Sequence, residues 1–535
     1  MAGDIVTENL LPYPRVYRAR PGHFSLGADP VLTGESAAVA AVRDVLVLPP
    51  GGSGDVRVEL DGALPAEGYR LLIGPEHVRI EAGGRAGAFY AAQTIRQLLP
   101  DDAWRAAPVS GDECWVIPCA EIEDAPALAW RGGHLDVARH FFPKPVVLRF
   151  IDMLAAHKLN RLHLHLTDDQ GWRIESRLHP ALHEVGSWRP GTQVGKDRTR
   201  HDGIPHGGYY TLADLAEINA YAARRMITVV PELEVPGHAR AFLAALPSYA
   251  AAPGSREQSV AQEWGIFPQI MSPLPSTLDL LGELFGELLG AIPAGFVHIG
   301  GDECELGDWA ADPAIVAHQR SLRLASPEAL HAYFLRQVAD MLASSFGARA
   351  VVWDEGFTST AAGVGLRPDT VVMAWRGMDI ARQAALAGYD VIATPVQPTY
   401  FDWGQALDEG ERTSFGGGAV RVEDVAGFSP VPADWPDDAA SRLLGTQFQV
   451  WTEYIPDPRG LDYMTFPRAC ALAEVAWSGA ASPWSGDAAS GDAASGDAAG
   501  RPALGGRLAA HLSRLAAAGV EFRPLSGPHP WQRRG

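Results

Sequence analysis

Residues Arg161-Leu162-His163-Leu164-His165-Leu166 are followed directly by Thr167-Asp168-Asp169-Gln170-Gly171-Trp172. The first part alternates leucine with polar side chains, which is the two-residue period of a β-strand. The polar cluster behind it is typical of a loop that follows a strand. Helical patterns lie on both sides, at residues 146–157 and 212–225. This part of the chain therefore predicts a strand enclosed by two helices.

The same rhythm repeats along most of the chain. Candidate strands lie at residues 130–137, 161–166, 227–230, 296–300, 350–353, 371–375, 390–393 and 444–451. Helical patterns lie at residues 146–157, 212–225, 277–289, 327–346, 379–387 and 463–477. Parallel strands need long crossover connections, and eight strand–helix units close naturally into a barrel. The sequence therefore predicts an α/β protein built on a (β/α)8 TIM barrel.

Three of the predicted helices carry start signals. Thr211 has Asp214 three residues further on, and Ser276 has Asp279 at the same spacing. Ser326 stands before Pro327, which favours the first helical position. We expect helices to begin at these three points.

The remaining segments divide the chain. Residues 1–125 mix short alternating runs with one helical stretch, which predicts a small α+β domain before the barrel at 126–480. Residues 404–440 are rich in glycine and proline and predict a long loop over one end of the barrel. The tail, 481–535, holds three copies of Ser-Gly-Asp-Ala-Ala at 485–499, a low-complexity linker, and an amphipathic pattern at 504–519.

Charge and composition exclude several classes of protein. The 535 residues include 44 Lys and Arg against 64 Asp and Glu, a net charge of −20, which argues against nucleic-acid and anionic-membrane partners. The first twenty residues lack the pattern of a secretory signal, so a cytoplasmic location is the expectation. No apolar run is long enough to span a membrane. The four cysteines are too scattered for a disulfide framework or a zinc site with paired ligands.

The chemistry of a TIM barrel gathers at the carboxyl ends of its strands. Each of the eight strand ends here carries a polar, charged or indole side chain, among them Asp136, Asp168, Glu234, Asp302, Glu303, Trp353, Trp375, Asp402, Trp451 and Glu453. Carboxylates and indoles together favour a sugar ligand, since sugar hydroxyls bond to carboxylates and sugar faces stack on aromatic rings.

Phosphate and metal ligands fit this set less well. There is no GxxxxGK[ST] loop. A metal site built from His163, His165, Asp168 and His238 is conceivable, but His163 and His165 share one face of a strand and are expected to pack inside the barrel. We therefore predict no metal and no cofactor.

Three ordered motifs make the pattern specific: Trp130-Arg131-Gly132 with residues 135–141, the stretch 163–173 quoted above, and His298-Ile299-Gly300-Gly301-Asp302-Glu303. Together they resemble the β-N-acetylhexosaminidases of glycoside hydrolase family 20. The stretch Gly87-Ala88-Phe89-Tyr90-Ala91-Ala92-Gln93-Thr94 resembles the domain that precedes the barrel in this family. The resemblance covers residues from about 60 to 480.

The resemblance implies an activity and a mechanism. The activity is removal of terminal β-linked N-acetylglucosamine or N-acetylgalactosamine with retention, the acetamide of the substrate acting as nucleophile through an oxazolinium intermediate. Glu303 would be the general acid and then the base, and Asp302 would hold the acetamide N–H. Because neighbouring residues of a strand face opposite ways, both can reach one substrate only if the chain leaves strand geometry at Gly300-Gly301-Asp302.

The resemblance also assigns the other positions. Arg139, Asp402 and Glu453 would bind hydroxyls of the terminal sugar, and Tyr400 would hydrogen-bond the acetamide oxygen. The indoles Trp353, Trp375 and Trp451 would wall the acetamide and the sugar face. Asp168, His238 and Glu234 would support the acid through hydrogen bonds. Glu234 stands where the family usually has Asp, so its role is open.

Two other functions remain possible at this point. A member of the family specialised for a disaccharide unit would need a wider pocket, which the 404–440 loop could shape. A non-catalytic sugar-binding protein would keep Arg139 and the indoles but has no need for Asp302 and Glu303 together. The natural glycan, the choice between gluco and galacto epimers and the number of subunits stay undetermined.

Overall fold

The computed structural model describes residues 9–26, 31–46, 55–107, 115–251, 259–482, 484 and 502–533. The Ser-Gly-Asp-Ala-Ala repeat at 485–499 lies outside these residues. Within them, no helix is long and apolar enough to cross a membrane. Of the cysteines, Cys119 and Cys470 are buried free thiols and Cys304 is half-buried, while Cys114 falls outside the described part.

Eight parallel strands form a closed barrel, which confirms the predicted fold class. In chain order they are Trp130–Asp136, Arg161–His165, Thr228–Glu232, Phe296–His298, Arg349–Trp353, Val371–Ala374, Asp390–Ala393 and Leu443–Phe448. The last strand pairs with the first, Gly445 opposite Trp130, and so closes the ring.

Helices cover the outside of this barrel. Those that follow the strands are Lys144–Ala156, Leu212–Arg224, Pro275–Ala291, Pro327–Phe346, Asp354–Thr358, Met378–Leu386, Val422–Ala426 with Asp437–Ala440, and Pro458–Thr465 with Arg468–Ser478. Shorter helices in the connections are Ala181–Glu184, Arg240–Ala245, Gly307–Ala311, Pro313–Ser321 and Val396–Thr399. After the fifth strand, only the five-residue helix Asp354–Thr358 and a short 3-10 turn fill the crossover.

Two predicted helix details are wrong. The pattern at 463–477 is not one helix, because Pro467 lacks the N–H that a continuous helix requires and the chain breaks at Phe466 and Pro467. Ser276 is not a cap, since Pro275 already occupies the first turn and Leu274 precedes it. The other two signals act as expected: Thr211 forms a capping box with Asp214, and Ser326 accepts from the Ala329 amide.

The described part of the small domain contains a six-stranded sheet and two α-helices. In spatial order its strands are Val16–Leu26, Trp115–Asp124, Tyr69–Ile73, His77–Ala82, Asp55–Leu60 and Val31–Gly34, and its helices are Ser36–Val45 and Arg85–Leu98. A buried ion pair ties it to the barrel: Lys158 Nζ lies 3.0 Å from Asp124 Oδ2, and Trp477 Nε1 donates to Asp124 Oδ1 at 2.8 Å.

The predicted helix at 504–519 is present as Leu504–Ala517 and packs back on the barrel. Its Arg507 forms a buried pair with Glu474, with Nη2 2.9 Å from Oε1. Arg507 also donates to the Leu10 carbonyl at 2.9 Å. The end of the chain therefore binds both its beginning and the last barrel helix.

The glycine-rich segment after the seventh strand is only partly irregular. Trp403–Gly404 pairs with Phe415–Ala419, and the Lys196 ammonium donates to the Gly416 carbonyl at 2.8 Å. This pairing holds the segment against a loop of the second crossover. It places Trp403 and Phe415 at the carboxyl ends of the barrel strands.

Candidate active site

A pocket of about 250 Å³ opens at the carboxyl ends of the barrel strands. All twelve residues predicted for the site line it: Arg139, Asp168, Glu234, His238, Asp302, Glu303, Trp353, Trp375, Tyr400, Asp402, Trp451 and Glu453. These residues come from eight strand ends spread over more than 300 positions of sequence. The structure brings the predicted set together in space, while the role of each residue stays a prediction.

The fourth strand bends where the sequence predicts. Gly300 and Gly301 have φ values of 66° and 92°, and Glu303 has a φ of 48°. These left-handed conformations end the strand at His298 and turn Asp302 and Glu303 towards the same pocket. Both carboxyls face one imidazole, since His238 Nε2 lies 3.7 Å from Asp302 Oδ2 and 3.5 Å from Glu303 Oε2.

Gly300 also makes room for the longer side chain at position 234. A Cβ atom at Gly300 would come within 1.5 Å of Glu234 Oε2, so any other residue here would displace this carboxyl, and the φ of 66° also favours glycine. Glu234 Oε2 is buried and has no hydrogen-bond partner among the described residues. Burial, and then the nearby charge of Asp302, hold the pKa of Glu234 well above its usual value. Burial therefore disfavours the charged form of Glu234.

Asp302 is the carboxyl best prepared for a ligand. Burial is the largest influence on it and, with the neighbouring charge of Glu303, raises its pKa to about 7, although His238 acts in the opposite direction. Its Oδ1 atom is buried and finds no hydrogen-bond donor within the described chain. An unpaired buried acceptor is costly, so this atom is matched to an N–H that a substrate would supply.

His238 connects two pairs of acids. On its other side, Nδ1 lies 3.1 Å from Asp169 Oδ2 and 3.5 Å from Asp168 Oδ1. Burial alone would lower the pKa of His238, but Asp168 and the other carboxyls raise it well above its usual value. The predicted pair of Asp168 and His238 thus includes Asp169 as the nearer partner, and the imidazolium balances the charges around Asp302 and Glu303.

Arg139 forms the opposite wall of the pocket. Its Nη2 lies 2.8 Å from Asp168 Oδ2, and its Nη1 lies 3.3 Å from Asp136 Oδ2 and 3.8 Å from Glu453 Oε1. Burial acts to lower the pKa of Arg139, but Asp168 and Glu453 outweigh it and raise the pKa, so the guanidinium stays charged. The pairing fixes a planar donor beside Glu453.

Two carboxyls in this wall each have one oxygen atom without a partner. Asp402 Oδ1 and Glu453 Oε2 are buried and have no partner among the residues that the structure covers. Burial raises the pKa of both groups, and the charge of Glu453 raises that of Asp402 further. Together with Arg139 they offer donors and acceptors at the closed end of the pocket, as the hydroxyls of one sugar would require.

Aromatic rings line the space between these two walls. Trp353 and Trp451 lie with ring centroids 5.9 Å apart, and Trp375 stacks on Tyr400 at 6.2 Å. The carboxyl groups of two glutamates hold the indoles of Trp353 and Trp375: Trp353 Nε1 donates to Glu232 at 3.1 Å and Trp375 Nε1 donates to Glu355 at 2.9 Å. The rings are therefore fixed before any ligand arrives.

Beneath the pocket lies a cluster of histidines around Glu232. His165 donates to this carboxylate through Nδ1 and faces Asp168 Oδ2 through Nε2 at 3.1 Å, while His163 Nε2 lies 3.0 Å from Glu232. Burial would lower the pKa of His165, but Glu232 and Asp168 raise it to about 10. These contacts form a buried network of hydrogen bonds and ion pairs around Glu232.

Sequence reasoning missed four residues that line the pocket: His165, Val396, Trp403 and Phe415. His165 was expected only to pack inside the barrel. Trp403 and Phe415 stand beside or within the segment interpreted as a loop, and no motif singles them out. Glu232 and Glu355, which accept hydrogen bonds from the indoles, appear in the sequence only as polar residues near strand ends.

Comparisons with known proteins agree with this geometry. The family model described as "Glycosyl hydrolase family 20, catalytic domain" matches residues 128–480. The model described as "Glycosyl hydrolase family 20, domain 2" matches residues 7–125. The chain belongs to glycosyl hydrolase family 20. The predicted family is thus confirmed, and with it the assignment to the glycoside hydrolases.

Named members of family 20 resemble the chain over most of its length. A β-hexosaminidase of Porphyromonas gingivalis is 37% identical over 79% of this chain, which spans about half (52%) of that protein. A β-hexosaminidase of Vibrio furnissii is 33% identical over 88% of this chain and 77% of its own length. A crystal structure of a Vibrio harveyi family 20 exo-β-N-acetylglucosaminidase with N-acetylglucosamine has a TM-score of 0.82 at 30% identity, covering 97% and 78% of the two chains.

Proposed function

We propose that this protein is an exo-β-N-acetylhexosaminidase that removes terminal β-linked N-acetylglucosamine or N-acetylgalactosamine from glycans. The observation that carries the proposal is the pair Asp302 and Glu303, turned into one pocket by Gly300 and Gly301 beside His238. The names of the family 20 relatives support it. A purely sugar-binding protein has no use for two adjacent carboxyls at the reacting centre.

The shape of the pocket supports exo action. Arg139, Asp402 and Glu453 line it with largely buried side chains, and its volume of about 250 Å³ suits one sugar ring. A glycan that continued past this ring would meet the buried guanidinium and carboxyls. The substrate would therefore enter with its non-reducing end first and leave the rest of the glycan at the mouth.

The proposed mechanism uses the acetamide of the substrate as nucleophile. Asp302 Oδ1 accepts the acetamide N–H and balances the positive charge that develops as the carbonyl oxygen attacks the anomeric carbon. Glu303 donates its proton to the leaving oxygen, and the aglycone departs. Water, activated by the Glu303 carboxylate, then opens the oxazolinium ion on the same face, so the product retains the β configuration.

The remaining residues have positioning roles in this mechanism. The Trp353, Trp375 and Trp451 rings exclude water from the acetamide, and Tyr400 hydrogen-bonds its oxygen. The His238 imidazolium, held by Asp168 and Asp169, keeps Asp302 and Glu303 in place while their charges change. The nucleophile comes from the substrate, so no second carboxylate at the roughly 5 Å spacing of ordinary retaining enzymes is required.

The assignment of the acid is tested with Glu303→Gln. Loss of the proton donor should lower kcat for a 4-nitrophenyl β-N-acetylglucosaminide by about 10²- to 10⁴-fold. Glu305→Gln is the matched control, because Glu305 is exposed two residues further along the same loop and does not line the pocket. Wild-type rates in Glu303→Gln would contradict the assignment of the acid.

A further inference from the structure

A second cavity lies on the outside of the barrel, against the small domain. It encloses about 400 Å³ and is lined by the helices Ser36–Val45 and Arg85–Leu98, the turn Asp101–Trp104 and the first barrel helix, Lys144–Ala156. Arg105 and Ala106 at its rim are exposed, so the space can be reached from solvent. None of its lining residues belongs to the candidate active site.

The charges that line this cavity are positive in an otherwise acidic chain. Four arginines and two aspartates face it, although the whole chain carries a net charge of −20. Three of the arginines are neutralised: Arg105 Nε lies 2.7 Å from Asp102, Arg149 bonds both oxygens of Asp462 at 2.6 and 2.8 Å, and Arg225 donates to Asp152.

The two aspartates that line the cavity also have hydrogen-bond or ion-pair partners. Asp44 lies 2.6 Å from Arg224 Nη2, and Asp152 also accepts from the Tyr221 hydroxyl at 2.9 Å. Neither carboxylate is left to neutralise a further cation directly. Asp152 acts on the fourth arginine, Arg96, only through its charge.

Arg96 is the surplus cation. Within the described residues its side chain makes no hydrogen bond and no ion pair, and its guanidinium carbon lies 4.2 Å above the Trp104 ring. Trp104 is buried at 3% exposure, and its Nε1 donor likewise finds no acceptor in the described chain. Two adjacent groups, both pure donors, thus line one cavity without an acceptor for either.

We propose that this cavity binds an oxyanion, a phosphate, sulfate or carboxylate group, between the Arg96 guanidinium and the Trp104 indole N–H. A planar guanidinium presents two parallel N–H groups to such an anion, and the indole supplies a third donor. Gln93, one turn before Arg96 on the same helix, also lines the cavity, and its side-chain NH2 group could donate to such an anion. The volume leaves room for a small group attached to the anion.

The test is a titration of the whole protein with sodium phosphate at constant ionic strength, followed by the thermal midpoint Tm and by calorimetry. The wild type should show a saturable rise in Tm that sodium chloride at equal ionic strength does not produce. Sodium sulfate and sodium acetate identify the preferred group. Tighter binding of glucose 6-phosphate than of phosphate would show that the cavity takes a sugar ester rather than the free anion.

Two variants locate the site. Arg96→Met keeps the apolar stem over Trp104 and should abolish the saturable rise, while its hydrolysis of the chromogenic substrate stays at the wild-type rate. Arg105→Met removes the same charge at the rim and should titrate like the wild type. Arg96→Lys, which keeps the charge without the paired N–H groups, should bind at least several-fold more weakly.

Three results would overturn the proposal. They are the absence of a saturable phosphate effect in the wild type, an equal effect of chloride, and an Arg96→Met protein that binds phosphate as the wild type does. If Arg96→Met fails to fold, the comparison of Arg96→Lys with Arg105→Met decides the question, and equal phosphate affinities of these two variants would overturn the proposal.

Discussion

At the scale of single residues, Asp302 carries the largest conflict between stability and function. Its side chain is only 13% exposed, its Oδ1 atom is buried without a partner among the described residues, and burial with the charge of Glu303 raises its pKa to about 7. The mechanism requires the ionised form, which the empty pocket disfavours. A substrate that brings an amide N–H resolves the conflict, so binding and ionisation of Asp302 are coupled.

This coupling predicts how stability depends on pH. Asp302 titrates near 4 when unfolded and about 7 when folded, so between these values the folded state binds more protons and stability falls as pH rises. Asp302→Asn removes the cost of ionisation. It should stabilise the protein by on the order of a few kcal/mol at pH 8 and by little at pH 4.

The measurement is urea unfolding of the wild type and Asp302→Asn at pH 4 and pH 8. The exposed Asp434→Asn serves as the control and should change neither value by more than about 0.5 kcal/mol. If Asp302→Asn increased the free energy of unfolding equally at both pH values, the pKa of Asp302 would not be raised in the folded protein.

At the scale of elements, the sequence predicts those ends of helices and strands that are determined by neighbouring residues. The strand at 390–393 is found as Asp390–Ala393, because it is a short apolar run, and the helix at 327–346 as Pro327–Phe346, because cap residues set its ends. The strand predicted to reach residue 300 ends at His298, since Gly300 turns to positive φ. The break between the helices Pro458–Thr465 and Arg468–Ser478 follows from Pro467, which the apolar periodicity alone does not register. The short crossover after Trp353 depends on tertiary packing that periodicity does not reveal.

The segment after the seventh strand leads to a prediction about the leaving group. Phe415 is 47% exposed and lines the mouth of the pocket, where the second sugar of a glycan would lie. Phe415→Ala should raise KM for chitobiose several-fold, because a ring that stacks on a sugar contributes about 1 kcal/mol. It should leave kcat for chitobiose and for the 4-nitrophenyl β-N-acetylglucosaminide nearly unchanged.

Leu407→Ala is the matched control for this experiment, being an exposed apolar residue of the same segment that does not line the pocket. Steady-state kinetics on chitobiose for the two variants make the comparison. Equal KM values for chitobiose in Phe415→Ala and the wild type would exclude a role of this ring in binding the leaving sugar.

At the scale of the whole molecule, buried charges join the parts. Glu474 on the last barrel helix accepts from Arg507 of the C-terminal helix at 2.9 and 3.0 Å and from the Tyr13 amide at 2.8 Å. The two side chains are at most 1% exposed. One carboxylate therefore links the beginning of the chain, the barrel and the end of the chain.

Breaking this link should be costly because it leaves a buried charge without a partner. Glu474→Gln should lower the free energy of unfolding by about 3–5 kcal/mol, and the double variant Glu474→Met, Arg507→Met should recover most of that loss. Chemical denaturation of both variants tests this. The exposed pair of Glu59 and Arg79 gives the control, since Glu59→Gln should cost less than about 1 kcal/mol.

The candidate site was predictable to the extent that it lies at strand ends. A TIM barrel brings all eight ends to one face, so the twelve predicted residues reach one pocket although they are far apart in sequence. Phe415 and Trp403 were not predicted because a short strand pairing places them there, within a glycine-rich segment whose sequence shows no periodic pattern. Asp169 was not predicted as the nearer partner of His238. The sequence does not show whether Asp168 or Asp169 lies closer to the imidazole, because that depends on side-chain geometry.

The central claim is that the acetamide of the substrate is the nucleophile. The most direct test is the ratio of kcat/KM for 4-nitrophenyl β-N-acetylglucosaminide and 4-nitrophenyl β-glucoside, which differ only at the acetamide. With Asp302 and the Trp353, Trp375 and Trp451 rings arranged for that group, we expect the ratio to exceed about 10³, as for loss of a catalytic group. Comparable values for the two glycosides would contradict the mechanism.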